Sequence, residues 1–506
     1  MFRFNGWRWL TRQAGVARGA RKGRRPRPRP TLEPLEDRTV PAVIQAGPTT
    51  LTWNGSVDMN WGDTGIGPSE NLISNWTNSD GSNTGAIPQN GDDLVFPAGA
   101  ANTVNTNNLV GLSVHSITFT GPGYGIGGNA LSLTGALTDQ QARPSNDGSA
   151  DAVVSLTINL PNDVTVNGPA GNNVLGLNGM ISGPGGMTVT GSGTVSLSGD
   201  NNYQGTTLVS GGVLQIVSSN ALGSPAAGTT VSSGATLTLL NTGSVLNVPE
   251  PLALNGPGFQ GGAALVSSFT ESFFPNTWSG PITLEAESAV QTNAPLFING
   301  LISGPGGLDV LGPAPLALAA TGNNSYAGTT AVDGGVLQLQ QSGIAVPGNL
   351  TIGTGGRGPG VCDVLRDEQI ADGARVTIGN NSVLGINGNR ETIGSLVGVG
   401  EVVLNNSPSG SGSDTSTMGG GNSSGPRAGT LVTGADNTST IYAGIILGSG
   451  GNLVKVGGGV FVLTGANTYS GTTTVNGGTL RVDGSQPGSA VVVNGGGTLG
   501  GHGTVG

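Results

Sequence analysis

Apolar and hydroxylated residues alternate in short runs along most of the chain. Residues 194–198 read Thr-Val-Ser-Leu-Ser, and residues 235–239 read Ala-Thr-Leu-Thr-Leu. Because successive side chains of a strand point to opposite faces, such runs predict strands buried on one face. Clusters of Gly, Asn, Asp and Ser separate the runs, and no stretch shows helical periodicity over about twelve residues. The pattern predicts an all-β chain.

Composition narrows the kind of β protein. The 506 residues include 94 Gly, and only 9% are charged, against about one quarter in average globular domains. Gly follows no strict three-residue period, which excludes collagen, and the apolar alternation argues against disorder. Aromatic residues make up 4%, so the core must consist mainly of Val, Leu, Ile and Ala. These features predict a thin, elongated core.

A sixteen-residue motif, GxNxYxGTTxVxGGxL, occurs three times, at residues 199–214, 322–337 and 465–480. Ten of its sixteen positions are identical in all three copies. Each copy follows a Gly-rich turn and a short strand, and such a unit cannot bury its apolar face alone. Stacking coil upon coil solves this problem, because each strand then pairs in parallel with its equivalent in the next coil. The motif therefore predicts a β-solenoid.

Four positions of each copy are expected to maintain this structure. Glycine suits turns with positive φ, asparagine suits turns where its side chain bonds the backbone, and one tyrosine per copy packs a coil corner. Stacking of the tyrosines on a sugar ligand is the less favoured alternative. The positions are Gly199, Asn201, Tyr203 and Gly205; Gly322, Asn324, Tyr326 and Gly328; and Gly465, Asn467, Tyr469 and Gly471.

The three motif copies resemble the autotransporter-associated β-strand repeat. Weaker relatives of the unit occur at residues 228–237 and 490–501. The resemblance implies a passenger-type protein with a pectin-lyase-like, right-handed parallel β-helix. The segment with Trp53, Trp61 and Trp76 resembles the start of such proteins, and we interpret it as an N-terminal cap, with a ligand platform as the alternative.

The first forty-two residues differ from the rest. They contain eleven basic and three acidic residues, including the run Arg-Arg-Pro-Arg-Pro-Arg-Pro at 24–30, whereas the whole chain carries −10. Such a run cannot bury itself and is predicted to be a disordered targeting leader, with nucleic-acid binding and an anionic-surface anchor as alternatives. Residues 32–42 resemble the LEPR-type leader of secreted proteins of planctomycete-type bacteria, which implies export or surface sorting.

Five regions follow from these patterns. Residues 1–42 form the basic leader, and residues 43–140 form the Trp-containing cap and first coils. Residues 141–406 form a β-helix with two strong repeats, residues 407–427 form a loop rich in Gly, Ser and Thr, and residues 428–506 form a β-helix with the third repeat, uncapped at its end.

The sequence offers few candidate residues for catalysis or metal binding. Asp92 and Asp93 are adjacent, so in a strand they point to opposite faces, and we interpret them as a solvated turn. The densest charged stretch, beside the lone Cys362, is interpreted as a polar loop, with calcium binding or general-base catalysis as the alternative. It contains Asp363, Arg366, Asp367, Glu368, Asp372 and Arg375. His115 is expected to share a strand face with Ser113 and Ile117, and His502 lies in a Gly-rich tail.

We therefore predict no catalytic residues, no metal site and no cofactor. The predicted function is that of a non-catalytic, secreted or cell-surface repeat protein with a structural or adhesive role; the alternative is a polysaccharide lyase or hydrolase. Extracellular polysaccharides or surface components are the expected partners, nucleic acid is not, and exposed end coils allow end-to-end self-association. The sequence contains no run of about eighteen apolar residues, so it predicts no transmembrane helix.

Overall fold

A computed structural model describes residues 49–141, 150–270, 274–405 and 427–506. The predicted leader, residues 1–42, lies outside the described residues, as does all but the last residue of the predicted loop at 407–427. The regular secondary structure is almost entirely β, with 46% strand and 1% helix. The all-β prediction is confirmed.

Most strands contain two to five residues. In residues 49–141 they are β1 (Thr50–Trp53), β2 (Thr64–Ile66), β3 (Leu72–Ser74), β4 (Trp76–Asn78), β5 (Asp93–Phe96), β6 (Val104–Asn107), β7 (Ser113–Phe119), β8 (Tyr124–Gly128) and β9 (Leu131–Asp139). In residues 150–270 they are β10 (Ala150–Val154), β11 (Ile158–Asn159), β12 (Val164–Asn167), β13 (Val174–Leu177), β14 (Ile181–Ser182), β15 (Met187–Thr190), β16 (Thr194–Leu197), β17 (Thr207–Val209), β18 (Gly212–Ile216), β19 (Thr229–Val231), β20 (Ala235–Asn241), β21 (Asn247–Val248), β22 (Leu252–Leu254) and β23 (Leu265–Phe269). A 3₁₀ turn spans Phe259–Gly261.

The remaining strands follow the same pattern. In residues 274–405 they are β24 (Asn276–Trp278), β25 (Ile282–Leu284), β26 (Ser288–Thr292), β27 (Leu296–Ile298), β28 (Ile302–Ser303), β29 (Leu308–Leu318), β30 (Thr330–Leu339), β31 (Leu350–Ile352), β32 (Val361–Val364), β33 (Arg375–Ile378), β34 (Val383–Gly385), β35 (Arg390–Ile393), β36 (Ser395–Gly398) and β37 (Glu401–Val403). In residues 427–506 they are β38 (Thr430–Thr433), β39 (Thr440–Tyr442), β40 (Ile445–Leu447), β41 (Asn452–Lys455), β42 (Val460–Leu463), β43 (Thr473–Val475), β44 (Gly478–Val482), β45 (Ser485–Gln486), β46 (Val491–Val493), β47 (Gly497–Gly500) and β48 (Thr504–Val505).

The strands stack as a parallel β-solenoid of about 17 turns within the described residues. Each strand pairs with its equivalent in the next coil, as β15 does with β17 and β17 with β19. A second long sheet contains β13, β16, β18 and β20, and a five-stranded sheet follows the order β35-β38-β41-β43-β46. The solenoid predicted from the repeat is confirmed.

The core is a set of aliphatic columns that run along the stack. Leu175, Val195, Leu214 and Leu237 occupy equivalent positions in four consecutive coils, and all four are fully buried. The outward neighbour Ser196 is partly exposed. Burial of each such side chain stabilises the fold by about 1.5–3 kcal/mol, so the alternation in the sequence provides both the strand face and its stabilisation.

Three tryptophans cluster at the first coils of the solenoid. Trp53, Trp61 and Trp76 are fully buried. Trp76 contacts both others edge to face, with ring centroids 5.1 Å from Trp53 and 5.6 Å from Trp61. Their indole nitrogens donate to Asn102 O, Asn105 Oδ1 and Trp61 O, respectively. Buried rings with internal hydrogen bonds present no accessible face to a ligand.

Candidate functional site

The three repeat tyrosines lie inside the solenoid. Tyr203, Tyr326 and Tyr469 are at most 2% exposed. Each hydroxyl contacts a threonine hydroxyl four residues later, at 2.5 Å from Tyr203, 2.6 Å from Tyr326 and 2.6 Å from Tyr469. Burial raises the pKa of Tyr469 to about 12 and also raises the pKa of the other two. Rings in this position cannot stack on an extracellular sugar.

The repeat asparagines connect adjacent coils. Oδ1 of Asn201, Asn324 and Asn467 accepts a hydrogen bond from the backbone N–H of an isoleucine 20 to 22 residues earlier, at 2.7, 2.9 and 2.9 Å. In the first two copies, Nδ2 donates to an alanine carbonyl of the following coil at 2.6 and 2.8 Å. Asn467 instead donates to the carbonyl of Gly465 at 3.3 Å. The side chains therefore act as backbone substitutes where the chain leaves the sheet.

The backbone angles of the repeat differ in part from the expectation. The three asparagines have no positive φ, and their side chains bond the backbone of the preceding coil. Gly205 also has no positive φ, but a Cβ at this position would lie 2.2 Å from the backbone nitrogen of Gly186 in the preceding coil. Of the six predicted glycines, Gly322 has the expected positive φ, at +111°, and another positive φ occurs later in the motif, at +64° in Gly212.

The charged stretch around Cys362 does not converge on one point. Asp363 lies on the outward side of β32, where its Oδ1 accepts a hydrogen bond from Asn387 Nδ2 at 3.2 Å. Burial raises the pKa of the Asp363 carboxyl. Cys362 points inward and is fully buried, and burial raises the pKa of its thiol.

The later residues of this stretch serve turns. Asp367 Oδ1 accepts a hydrogen bond from the backbone N–H of Arg390 at 2.8 Å, and Glu368 pairs with the Arg390 side chain at 3.3 Å. The remaining three residues, Arg366, Asp372 and Arg375, are exposed. In the described parts of the chain, no group of three or more His, Cys, Asp or Glu residues could hold a metal ion.

Asp92 and Asp93 do point apart, but the expected solvated turn is wrong for Asp92. Its side chain is 5% exposed and accepts hydrogen bonds from Thr49 and from the backbone N–H of Gln89. Asp93 Oδ1 lies 2.8 Å from Nδ1 of His115. His115 lies on the outward side with the partly exposed Ser113, as predicted, but not with Ile117, because the register between β7 and β9 shifts between Val114 and Ser116. His115 is exposed, whereas Ile117 is buried.

A buried polar ladder was not predicted from the sequence. Glu391 on β35 is fully buried, and its two carboxylate oxygens accept the backbone N–H groups of Gln369 at 2.8 Å and Ile370 at 2.9 Å. The Gln369 side chain bonds to the backbone of Gln341, whose Oε1 accepts from Asn324 Nδ2 at 2.8 Å. The ladder therefore extends from the second repeat to β35.

Other buried charges also occupy the interior. Glu250 is 2% exposed, and its Oε1 accepts a hydrogen bond from Thr229 Oγ1 at 3.2 Å. Burial raises the pKa of Glu250 to about 7. Lys455 is fully buried, and its Nζ donates to three carbonyls, including Gly457 O at 3.0 Å and Gly477 O at 3.2 Å. Burial lowers the pKa of Lys455.

Two neighbouring carboxylates, Asp309 and Asp333, were also not predicted from the sequence. Asp309 on β29 pairs with Arg357 Nη1 at 3.2 Å, across two coils. Asp333, at a corner of the next coil, accepts the backbone N–H groups of Thr354 and Gly355 at 3.0 and 2.8 Å. Burial raises the pKa of Asp309 to about 6; Arg357 opposes this rise, and Asp333 adds to it.

Stacked coils fastened by repeated Asn, Tyr and Gly positions define a parallel β-solenoid repeat protein. The family model of the passenger-associated-transport-repeat matches residues 187–216, 312–339 and 453–482, which contain all three motif copies. The chain therefore contains three matches to the passenger-associated-transport-repeat, and it is secreted or located at the cell surface.

One curated relative supports the same class. The chain is 27% identical over 329 residues to the adhesin BmaC autotransporter of Brucella suis biovar 1 (strain 1330). The match covers 62% of this chain but only 8% of that relative's length. No solved structure matches the chain. Among the described residues, no helix has both the length and the apolar character needed to cross a membrane.

Proposed function

We propose that this protein is a non-catalytic surface or secreted solenoid with a structural or adhesive role. The observation that carries the proposal is the similarity, over 329 residues, to a protein named as an adhesin. That similarity concerns a small part of the relative, so adhesion comes to this chain as a proposal. Extracellular polysaccharides or other surface components are the proposed partners.

The repeat supports this function through its chemistry. The Asn, Tyr, Val and Leu side chains that recur in every copy are buried; Asn201 bonds to the preceding coil, and Tyr203 bonds to Thr207 of its own coil. Repetition of this kind stabilises a long stack and leaves outward positions free to vary. A protein built in this way presents an extended lateral surface, which suits adhesion or a structural coat.

The test uses the full chain and immobilised acidic and neutral polysaccharides, with and without calcium. Retention on the polysaccharide and the appearance of new reducing or unsaturated ends are both followed. Retention without products is the result expected of an adhesin. Absence of both signals on all polysaccharides would contradict adhesion to polysaccharide and leave the structural role, whereas product formation would overturn the non-catalytic proposal.

Polysaccharide cleavage is the second candidate function, and the raised pKa of Asp309 together with its charged neighbours favours it. A carboxyl with a pKa of about 6 beside Asp333 and Arg357 has the character of a general acid next to a second carboxylate. If products form, Asp309→Asn is expected to reduce the rate by about 100-fold or more. The exposed Asp372 provides the matched control, because Asp372→Asn removes a carboxylate elsewhere on the surface.

A further inference from the structure

Phe297 presents an aromatic ring on the outer face of the solenoid. Every other aromatic residue of the described strands is buried except Phe269, which ends β23. Phe297 lies in the middle of β27 and is partly exposed, whereas its neighbours Leu296 and Ile298 are buried. Because successive side chains of a strand point to opposite faces, the ring lies on the outward side. It is accessible to a ligand, unlike the repeat tyrosines and the three clustered tryptophans.

The ring is one member of an outward column that crosses several coils. Thr277 is its register partner in the preceding coil, and Ala317 is its register partner in the following coil. Ala317 is only 2% exposed, although its register places it on the outward side. Its methyl group is therefore shielded by the larger side chains on either side, Phe297 and Gln338. With small side chains before and after it, the ring has no bulky neighbour in the column that would prevent a flat ligand from stacking on it.

Three side-chain amides lie on the same side of the solenoid as the ring. Gln338 belongs to the same column, two coils after Phe297. Asn299 and Gln340 directly follow β27 and β30, and their backbone N–H groups bond to the preceding coil at 2.8 and 3.0 Å. Within the described residues, none of these three amide side chains has a protein hydrogen-bond partner, and all three are at least partly exposed. Because an amide offers both donors and an acceptor, each is free to bond to a ligand hydroxyl.

The charge pattern of this part of the chain disfavours an acidic ligand. The sequence contains no Lys or Arg between Arg143 and Arg357, and neither histidine lies in that range. The outward positions of the column from Asn247 to Gln338 are uncharged, and the next position is Asp363. Uronate, sulfate or phosphate groups would therefore find no basic partner in this stretch. The face combines an aromatic ring with uncharged hydrogen-bonding groups, which match the apolar C–H faces and the hydroxyls of a neutral sugar.

We propose that Phe297, Asn299, Gln338 and Gln340 form a binding platform for an extended neutral polysaccharide. The aromatic ring stacks on the C–H face of one sugar, and the amides bond to hydroxyls of that sugar and its neighbours. Adjacent coils are about 4.8 Å apart, which is close to the length of one pyranose unit, so successive sugars lie over successive coils when the polymer runs along the stack. The inference rests on the proposed adhesive function and names its site and its ligand class.

The test is affinity electrophoresis of the full chain in native gels that contain a soluble neutral glucan, a neutral mannan or polygalacturonate. At least one neutral polymer is expected to retard the wild type, whereas polygalacturonate is not. Phe297→Ala is expected to raise the Kd for the neutral polymer by about tenfold or more, and Phe297→Tyr, which keeps the ring, should retain binding. Phe259→Ala is the matched control, because Phe259 is a partly exposed phenylalanine in the 3₁₀ turn, outside the platform.

Unchanged binding of folded Phe297→Ala to the neutral polymer would overturn the platform and leave adhesion itself standing. Retardation by polygalacturonate alone would overturn the neutral ligand class. No retardation by any polymer would contradict polysaccharide adhesion as well as the platform. If Phe297→Ala does not fold, Gln338→Ala and Asn299→Ala decide the question, since each removes a partly or fully exposed amide and should raise the Kd by about threefold or more; unchanged binding in both would contradict the platform.

Discussion

Oδ1 of Asn201 lies 2.7 Å from the backbone nitrogen of Ile181 in the preceding coil. Ile181 begins β14, which pairs with β11, and Asn201 lies outside the strands of the next coil. The side-chain amide provides the acceptor that a strand backbone would otherwise provide. This explains why the motif specifies asparagine at a position that is 4% exposed.

Asn201→Ala is expected to destabilise the local coil by about 1–3 kcal/mol, because it leaves the N–H of Ile181 and the carbonyl of Ala221 without these partners. The adjacent, exposed Asn202 offers a matched control, and Asn202→Ala should change stability by less than about 0.5 kcal/mol. Native-state hydrogen exchange at residues 181–221 measures both. Equal effects of the two substitutions would contradict the bridging role.

Substitutions at Tyr326 and Thr330 are expected to have coupled effects on stability, because their hydroxyls form a hydrogen bond. Tyr326→Phe leaves the buried Thr330 hydroxyl without its 2.6 Å partner and should cost about 1–2 kcal/mol. Thr330→Val, which conserves shape, should have a similar cost. The double variant should cost less than the sum, since removing both members of a buried pair leaves neither unsatisfied. Strict additivity in chemical denaturation would show that the two hydroxyls do not interact energetically.

Two coils approach closely at Gly205, so a larger side chain at this position is expected to destabilise the fold. Gly205→Ala places a Cβ 2.2 Å from Gly186 N and should destabilise the fold by about 3 kcal/mol. Gly127 on β8 is the control, because its added Cβ meets nothing within 4 Å and its φ is not positive. Thermal unfolding of both variants should show a large loss for the first substitution only. A loss at Gly127 equal to that at Gly205 would contradict the steric explanation.

The sequence allowed the solenoid and the stacked repeats to be predicted because alternation and repetition are local properties. The same alternation places Glu391 on the inward face with Ile393, and the repeat alignment places Lys455 at the inward position of Val189, so both buried charges had a signal in the sequence. Their partners could not be predicted, because Gln369 and Gly477 approach them only after the coils stack.

Irregularities account for the remaining differences. The position of His115 could not be predicted by counting residues, because the pairing with β9 shifts between Val114 and Ser116, where β9 has one extra residue, and the buried Val114 and Ile117 are three positions apart. The Asp309–Arg357 pair spans 48 residues and depends on a glycine-rich loop. Its only sequence signal is an acidic residue at an outward strand position where the first repeat has Thr188.

Burial of the Glu250 carboxyl predicts that the stability of the fold depends on pH. Burial raises its pKa from 4.5 to about 7, so its protonated form stabilises the fold. This contribution, on the order of 3 kcal/mol, is complete below about pH 4.5 and is lost as the pH rises through about 7. The stability of the wild type relative to Glu250→Gln should therefore fall between pH 4.5 and pH 7 and become constant above pH 8. Hydrogen exchange at residues 229–254 measures the difference, with Glu285→Gln as the exposed control. Parallel profiles for the wild type and Glu250→Gln would mean that this carboxyl keeps an ordinary pKa inside the solenoid.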